Sequence, residues 1–341
     1  MKLAIVGATG YVGKEMLSLL DEGYFPQIVA LAPIASESSA GTTLECMGKK
    51  WTVLPLDEAS FAGADVASFS VGDALSKEWV PRILEKYPAI KIVDKSNAFR
   101  MDPSVPLVVG GVNDAAVPAG CRLAANPNCT TIQLALSIKP LQDAFGVRRV
   151  IVSTYQSVSG GGRECVDSLM EELSLFEQSH DPLDLRASGF AHNVIPQIGS
   201  FADDGCCGEE TKIIRELKKI LGADEMHVSA ASARVDAIVG HSMNVWVTLG
   251  RDASIEEVEA ALKSAFAIDY FPNSKPVCPT PVSASRPGYD LVQVGRLRRV
   301  HGTENEFAFF NCANNLRIGA ALNAIRIARN LIGAGATASH A

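Results

Sequence analysis

Apolar residues at the start of this chain come in short unbroken runs. Lys2-Leu3-Ala4-Ile5-Val6 is such a run, and a strand without polar alternation suits a parallel sheet covered on both faces. The loop Gly7-Ala8-Thr9-Gly10-Tyr11-Val12-Gly13 follows, and then Met16, Leu17, Leu19 and Leu20 recur at helical spacing. Further strands are predicted at 27–31, 65–68 and 91–93, with a helix over 76–87. Strands alternating with helices predict a doubly wound α/β sheet.

Beyond residue 129 the pattern changes. Residues 149–155 are rich in β-branched side chains, and 226–235, 244–249, 293–300 and 306–311 alternate like half-covered strands. These predict a mostly antiparallel sheet, with helices at 166–178, 209–221 and 255–265. The segment 316–331 is an amphipathic helix suited to pack back on the first domain, and 333–341 is predicted to fray.

Bulk properties narrow the function classes. A chain of 341 residues can form two domains with a core each. Its net charge is −7 and no run of Lys and Arg occurs, which argues against nucleic acid or an anionic membrane surface as partner. The eight cysteines form no C-x-x-C, and Cys206 and Cys207 are adjacent, so neither a metal site nor a disulfide framework is expected. Without a signal peptide or a bilayer-length apolar stretch, a reducing cytoplasmic setting is expected.

Candidate chemistry lies at the junctions between elements. Gly7, Gly10 and Gly13 open the first helix, where glycines permit close approach of a dinucleotide diphosphate to a helix N-terminus. Cys129 follows Asn126-Pro127-Asn128 at the start of another helix; Asn126 or Asn128 can cap it. Unpaired N–H groups there favour a thiolate nucleophile, while a buried small hydrophobe is the plainer reading. Ser153-Thr154-Tyr155-Gln156-Ser157-Val158-Ser159-Gly160-Gly161-Gly162 ends a strand in hydroxyls, an amide and glycines, as a substrate loop or a hinge does. His241 stands between Gly240 and Ser242, seven residues after Arg234, and a histidine is the expected base for a thiol. Glu209 to Lys212 at a helix start and Ser96 to Arg100 are bland in isolation.

Together these pieces resemble the aspartate-β-semialdehyde dehydrogenase family from residue 1 to about residue 330. The carrying stretches are the loop 7–13, Ser96-Asn97-Ala98-Phe99-Arg100-Met101-Asp102, Asn126-Pro127-Asn128-Cys129-Thr130-Thr131, Tyr155-Gln156-Ser157-Val158-Ser159-Gly160, Gly240-His241-Ser242, and Asn315-Leu316-Arg317 with Gly319-Ala320-Ala321. The resemblance implies a Rossmann-like cofactor domain over 1–128, completed by 314–341. It also implies a central α+β catalytic and dimerisation domain over 129–313. It further implies a homodimer that reversibly converts L-4-aspartyl phosphate to L-aspartate 4-semialdehyde and phosphate, with NADP as cofactor. That reaction belongs to the synthesis of lysine, threonine and methionine.

Roles follow by resemblance. Cys129 would be the nucleophile, His241 the general acid–base, Gln156 an orienting group and Asn128 a support for the cysteine and the oxyanion. Arg234 would take the substrate carboxylate, Glu209 its ammonium group, and Arg100, Lys212 and Asn97 the phosphate. Gly7, Thr9, Gly10, Tyr11, Val12, Gly13, Ser36, Ser38, Ser39, Ser159, Gly160 and Asn315 would contact the cofactor.

Several positions depart from the family pattern. Asp236 stands where the family usually has proline, so a carboxylate lies two residues from Arg234. Gly110-Gly111 replaces Pro-Glu, and Asp94-Lys95-Ser96 and Asn314-Asn315 are atypical. Ser38, beside Glu37, replaces an arginine that commonly meets the NADP 2′-phosphate, which leaves NAD open as a cofactor. The departures also keep open a non-catalytic paralogue. An N-acetyl-γ-glutamyl-phosphate reductase-like enzyme is the other alternative, although Asn128-Cys129-Thr130 is not that family's usual motif.

Overall fold

The computed structural model describes residues 1–179, 189–274 and 277–333. The chain divides into two compact units, one formed by Met1–Asn128 with the segment from Ala320 onward and the other by Cys129–Gly319.

The first unit is a parallel six-stranded sheet. Its strands are β1 (Lys2–Val6), β2 (Ala30–Ala35), β5 (Leu54–Pro55), β6 (Val66–Phe69), β7 (Lys91–Asp94) and β8 (Leu123–Ala125), in the order β5-β2-β1-β6-β7-β8. Helix α1 (Tyr11–Asp21) follows β1, α2 (Asp73–Lys86) follows β6, and β3 (Thr43–Cys46) with β4 (Lys49–Thr52) forms a small hairpin. The strand expected at 27–31 starts at Ala30 and runs on to Ala35. Pro33 reads as a breaker in sequence, yet it stands in the strand opposite Ile5.

Glycines shape the turn after β1. Gly7 has φ +86°, and a Cβ there would lie 2.5 Å from the Ser70 carbonyl oxygen. A side chain at Gly13 would collide with the Gly7 carbonyl and with Ala8. Only glycine lets α1 start this close to the sheet.

The second unit opens with α3 (Cys129–Phe145). Then come β9 (Val147–Gln156), α4 (Arg163–Ser179), β10 (Val194–Ile195), α5 (Gly208–Leu221), β11 (His227–Val235), β12 (His241–Leu249), α6 (Ile255–Lys263), β13 (Ile268–Phe271), α7 (Pro281–Ala284), β14 (Val292–Arg299) and β15 (Glu306–Ala313). Seven of these strands form one sheet in the order β10-β11-β9-β12-β15-β14-β13. The sheet is mostly antiparallel as the alternation predicts, but β9–β11 and β13–β14 run parallel. Alternation reports that one face is covered, not which way a neighbour runs. Helices α3, α5 and α6 pack together beside this sheet. In β12, Met243, Val245 and Val247 are buried, while Asn244, Trp246 and Thr248 on the other face are half-buried.

The helix expected at 316–331 runs from Arg317 to Leu331, but its first turn is not α-helical. Arg317–Ala321 is one wide π turn, followed by α8 (Leu322–Leu331) in the first unit. A Cβ at Gly319, in that turn, would lie 3.2 Å from Cys129 Cβ, so the wide turn passes closely behind the cysteine. In α8 the buried Asn323 amide accepts from Gly110 N (2.8 Å) and donates to Val108 O (3.0 Å) and Asn126 Oδ1 (2.8 Å). Leaving a buried partner of that amide unpaired costs about 1–3 kcal/mol. Gly110 also makes room for Arg326, whose Cβ would lie 2.6 Å from a Cβ there. The fraying expected at 333–341 falls almost entirely outside the described residues.

Candidate active site

Cys129 is the first residue of α3, and the helix behind it is buried through its first turns. Its Sγ lies 3.2 Å from Nε2 of His241. The two residues are 112 positions apart in the chain, and the second unit alone brings them together.

His241 is the first residue of β12 and is fully buried. Gly240 before it has φ +97°, and a Cβ there would meet the Pro281 backbone at 2.9 Å. The imidazole is held from both sides. The Ser157 N–H donates to Nδ1 at 3.0 Å, with Ser157 Oγ 3.1 Å from the same nitrogen. An N–H aimed at Nδ1 requires a lone pair there, so the neutral ring carries its proton on Nε2, facing the sulfur. Burial first, and the Arg234 cation second, hold the His241 pKa well below the usual histidine value. The Gln133 side chain, one turn into α3, donates to the His241 carbonyl at 3.3 Å, which ties β12 to the cysteine's helix.

Asn315 braces this loop. Its Oδ1 accepts from Gly240 N (2.9 Å) and Ser157 Oγ (3.1 Å), and its Nδ2 donates to Ser159 Oγ (3.0 Å). In this structure Asn315 and Ser159, expected as cofactor contacts, have their side chains engaged in positioning the histidine turn. Gly160 lies against the site: a Cβ there would sit 3.0 Å from His241 Nε2, His241 Cε1 and Arg234 Nη1. Gly160→Ala is expected to displace both side chains and lower kcat about 100-fold, the scale of a small misplacement of reacting groups. Steady-state kinetics on a variant with an unchanged circular dichroism spectrum would check this, and wild-type kcat would show that the contact yields freely.

Arg234 reaches the same turn, and Glu209 meets the start of α3. Arg234, near the end of β11, pairs in register with Gln156 and donates from Nη1 to the Ser157 carbonyl at 2.9 Å. The Gln156 amide is buried and donates to Thr154 Oγ1 at 3.2 Å. Glu209, at the start of α5, is buried, accepts from Thr130 Oγ1 at 3.1 Å and pairs with Lys212 at 3.5 Å. Among the described residues, the Asp236 carboxylate is not a hydrogen-bond or ion-pair partner of Arg234. Asp236 lies beyond the end of β11, and its carboxylate lies 4.0 Å from His192 Nδ1. Residues that sequence reasoning left without roles, namely Ser157, Gln133 and Thr130, supply the hydrogen bonds that hold His241 and Glu209. Hydroxyls and amides inside apolar stretches carry no spacing signal for such contacts.

The remaining expected residues lie in the first unit. Arg100 is buried and donates from Nη2 to the Lys95 carbonyl at 2.7 Å. Asn97 is exposed, and its N–H donates to Asp73 Oδ1 at 2.8 Å. Asn128 is buried at the end of this unit's main segment. After β2, Ser36 Oγ and Ser38 Oγ share a hydrogen bond of 2.9 Å, and Ser39 N donates to Ser36 O at 2.9 Å. Thr9, Tyr11 and Val12 lie in or next to the glycine turn. Gly10 is the N-cap of α1 and offers no side-chain cap bond, and the first turn holds no acid. These open N–H groups on a glycine turn fit the diphosphate of a nicotinamide dinucleotide. Among the described residues, no group of His, Cys, Asp and Glu could hold a metal, and no helix is long and apolar enough to cross a membrane.

Known proteins share this fold. Residues 2–119 match the family model described as semialdehyde dehydrogenase, NAD binding domain, and residues 138–318 match semialdehyde dehydrogenase, dimerisation domain. Aspartate-semialdehyde dehydrogenase of Aquifex aeolicus is 39% identical, over 97% of this chain and 98% of the relative; that of Bacillus subtilis is 36% identical, over 97% of each. A crystal structure of aspartate semialdehyde dehydrogenase II from Vibrio cholerae superposes with a TM-score of 0.89 at 35% identity, covering 97% of this chain and 98% of that one. The same Vibrio enzyme is also known in complex with ASA. The chain is a nicotinamide-dependent oxidoreductase, and it belongs to the aspartate-semialdehyde dehydrogenase family.

Proposed function

We propose that the protein interconverts L-4-aspartyl phosphate and L-aspartate 4-semialdehyde through a thioester on Cys129, with NADP as hydride carrier, as a cytoplasmic homodimer. The observation that carries this reading is the 3.2 Å approach of His241 Nε2 to Cys129 Sγ at the start of a helix. In the direction of aldehyde synthesis the Cys129 thiolate attacks the acyl phosphate carbonyl, and the C–O bond to phosphate breaks. The nicotinamide supplies a hydride when bound. The oxyanion that reduction would leave on the Cys129-bound carbon would collapse to aldehyde and release the Cys129 thiolate.

His241 enters this sequence as a neutral hydrogen-bond donor. Nδ1 already accepts from Ser157, so Nε2–H points at the reacting centre. A neutral imidazole stabilises an oxyanion without having to give up its proton. The collapse to aldehyde and thiolate needs none. This narrows the acid–base role that the family resemblance implies.

The charged residues suit the substrate's three ionic groups. Arg234 uses Nη1 on the Ser157 carbonyl, which leaves its other edge to grip a carboxylate. Glu209, buried and held by Thr130, suits the substrate ammonium. Arg100 and Lys212 suit the phosphate, with Asn97 and Asn128 as further contacts and Gln156 orienting the acyl group.

The experiment mixes protein, aspartate semialdehyde, phosphate and NADP⁺ or NAD⁺ and follows nicotinamide reduction. Turnover that requires phosphate is expected; no turnover with either cofactor would favour a non-catalytic protein. The loop after β2 offers Ser36, Ser38 and Ser39 to a 2′-phosphate, but Glu37 stands among them and no cation does. Losing one charge-assisted hydrogen bond removes about 1.5–3 kcal/mol of preference. The kcat/KM values for NADP and NAD are therefore expected to lie within about tenfold of each other. A preference for NADP above about 1000-fold would contradict that reading of the loop.

A further inference from the structure

Lys95 follows the last residue of β7, at the carboxyl edge of the parallel sheet. The glycine turn after β1 opens at the same edge, where open α/β sheets take their ligands. Its N–H continues the sheet by donating to the Phe69 carbonyl at 3.0 Å, and its own carbonyl accepts from Arg100 at 2.7 Å. The side chain is oriented opposite to an ordinary surface lysine. The residue as a whole is partly exposed, but Nζ is buried and has no hydrogen-bond partner among the described residues. Lysines normally bury the stem and keep the ammonium in water.

The carboxylate of the preceding residue, Asp94, makes no hydrogen bond to Nζ. Asp94 is fully buried and receives Ser76 Oγ on Oδ1 at 2.7 Å and Ser96 Oγ on Oδ2 at 2.6 Å. Both oxygens are thus engaged by hydroxyls. Arg100, a second cation, is buried nearby on the same loop. Lys95 thus keeps three unused donors on a short loop that also carries the buried Arg100 guanidinium.

We propose that the Lys95 ammonium is a ligand for phosphate oxygen at this edge of the sheet, completing with Arg100 a two-cation anion site. This rests on the reading of Arg100 as a phosphate residue given above. The phosphate can come from the acyl phosphate or inorganic phosphate, or from the diphosphate of the nicotinamide cofactor. Burial pushes the Lys95 pKa down to about 7, with the Asp94 charge opposing that shift and Arg100 adding to it. A bound phosphate supplies the negative charge that keeps the amine protonated.

The test compares wild type, Lys95→Met, Lys95→Gln and Arg100→Met as full-length protein. The KM for inorganic phosphate is measured during aldehyde oxidation, and the Kd for NADPH is measured separately by fluorescence titration without substrate. Thermal midpoints are recorded for each protein. A ten- to hundredfold rise, the scale of about one charge-assisted hydrogen bond, is expected in one constant for both Lys95 variants. A rise in phosphate KM assigns Lys95 to the substrate phosphate, and a rise in NADPH Kd assigns it to the cofactor diphosphate. Both constants within twofold of wild type, with a raised thermal midpoint, would overturn the proposal, because Lys95 would then be only a buried charge. Lys95→Gln keeps much of the side chain's length and serves if Lys95→Met does not fold. If Arg100→Met leaves the phosphate KM unchanged, the underlying phosphate reading fails. If Arg100→Met raises it while neither Lys95 variant moves either constant, only the present inference fails.

Discussion

Replacing Cys129 by alanine is expected to lower kcat by at least about 10⁴-fold, the scale on which removing a covalent nucleophile acts. The loss should fall on kcat, with little change in cofactor affinity. The proposed cofactor turn lies in the first unit, while Cys129 opens the second. Substrate binding should also survive, since Arg234 donates to the Ser157 carbonyl and Glu209 accepts from Thr130, and neither bond involves the thiol. Folding should be unaffected, because the thiol is small and partly exposed. Steady-state kinetics with calorimetric cofactor titration would check both halves. The other seven cysteines provide an internal control. Cys46 and Cys312 are buried and burial pushes each thiol up to about 12, which makes them poor nucleophiles.

Replacing His241 by alanine is expected to cost about 10²–10⁴-fold in kcat. His241→Gln should retain more activity, because an amide N–H can serve as the donor that Nε2–H supplies. A proton carrier could not be replaced in this way. The wild-type ring should also fail to titrate near its ordinary value, since burial and Arg234 hold its pKa well below 6.5. The sign for stability follows from the same shift. The unfolded chain takes up a proton below about pH 6.5 while the folded protein does not. The contribution of His241 is therefore fully present above that pH and is lost as pH falls toward the folded pKa. An NMR titration with ¹³C-labelled histidine should show the His241 Cε1–H signal unmoved between pH 8 and 6. Protonation within that range would contradict the donor role.

The parts legible in the sequence were those with short-range signals. The turn Gly7–Gly13, the helix at Cys129 and the alternating strands of the second unit could be read locally, because glycine spacing and polar alternation are local properties. The His241–Cys129 contact could not, since it depends on β12 lying beside β9 and near the start of α3. The family motifs supplied it as an expectation that no spacing rule contains. Strand ends carry weaker local signals than strand interiors. Pro33 is a breaker in most contexts and here continues a strand, and His241 starts β12 three residues before the alternation becomes visible. The bracing of His241 by Asn315 and Ser157 was also invisible, because any buried amide or hydroxyl could have taken those roles. The Asp236 carboxylate meets His192 for a backbone reason: the strand ends at Val235, so the carboxylate at 236 no longer follows the strand's alternation.

The central claim is a covalent acyl group on Cys129. Protein mixed with aspartate semialdehyde and NADP⁺ in the absence of phosphate should accumulate one acyl adduct per chain, with a matching burst of reduced nicotinamide. Intact mass spectrometry and peptide mapping should place the adduct on Cys129, and added phosphate should release it. Phosphate-dependent turnover with no adduct, or an adduct on another cysteine, would contradict the account.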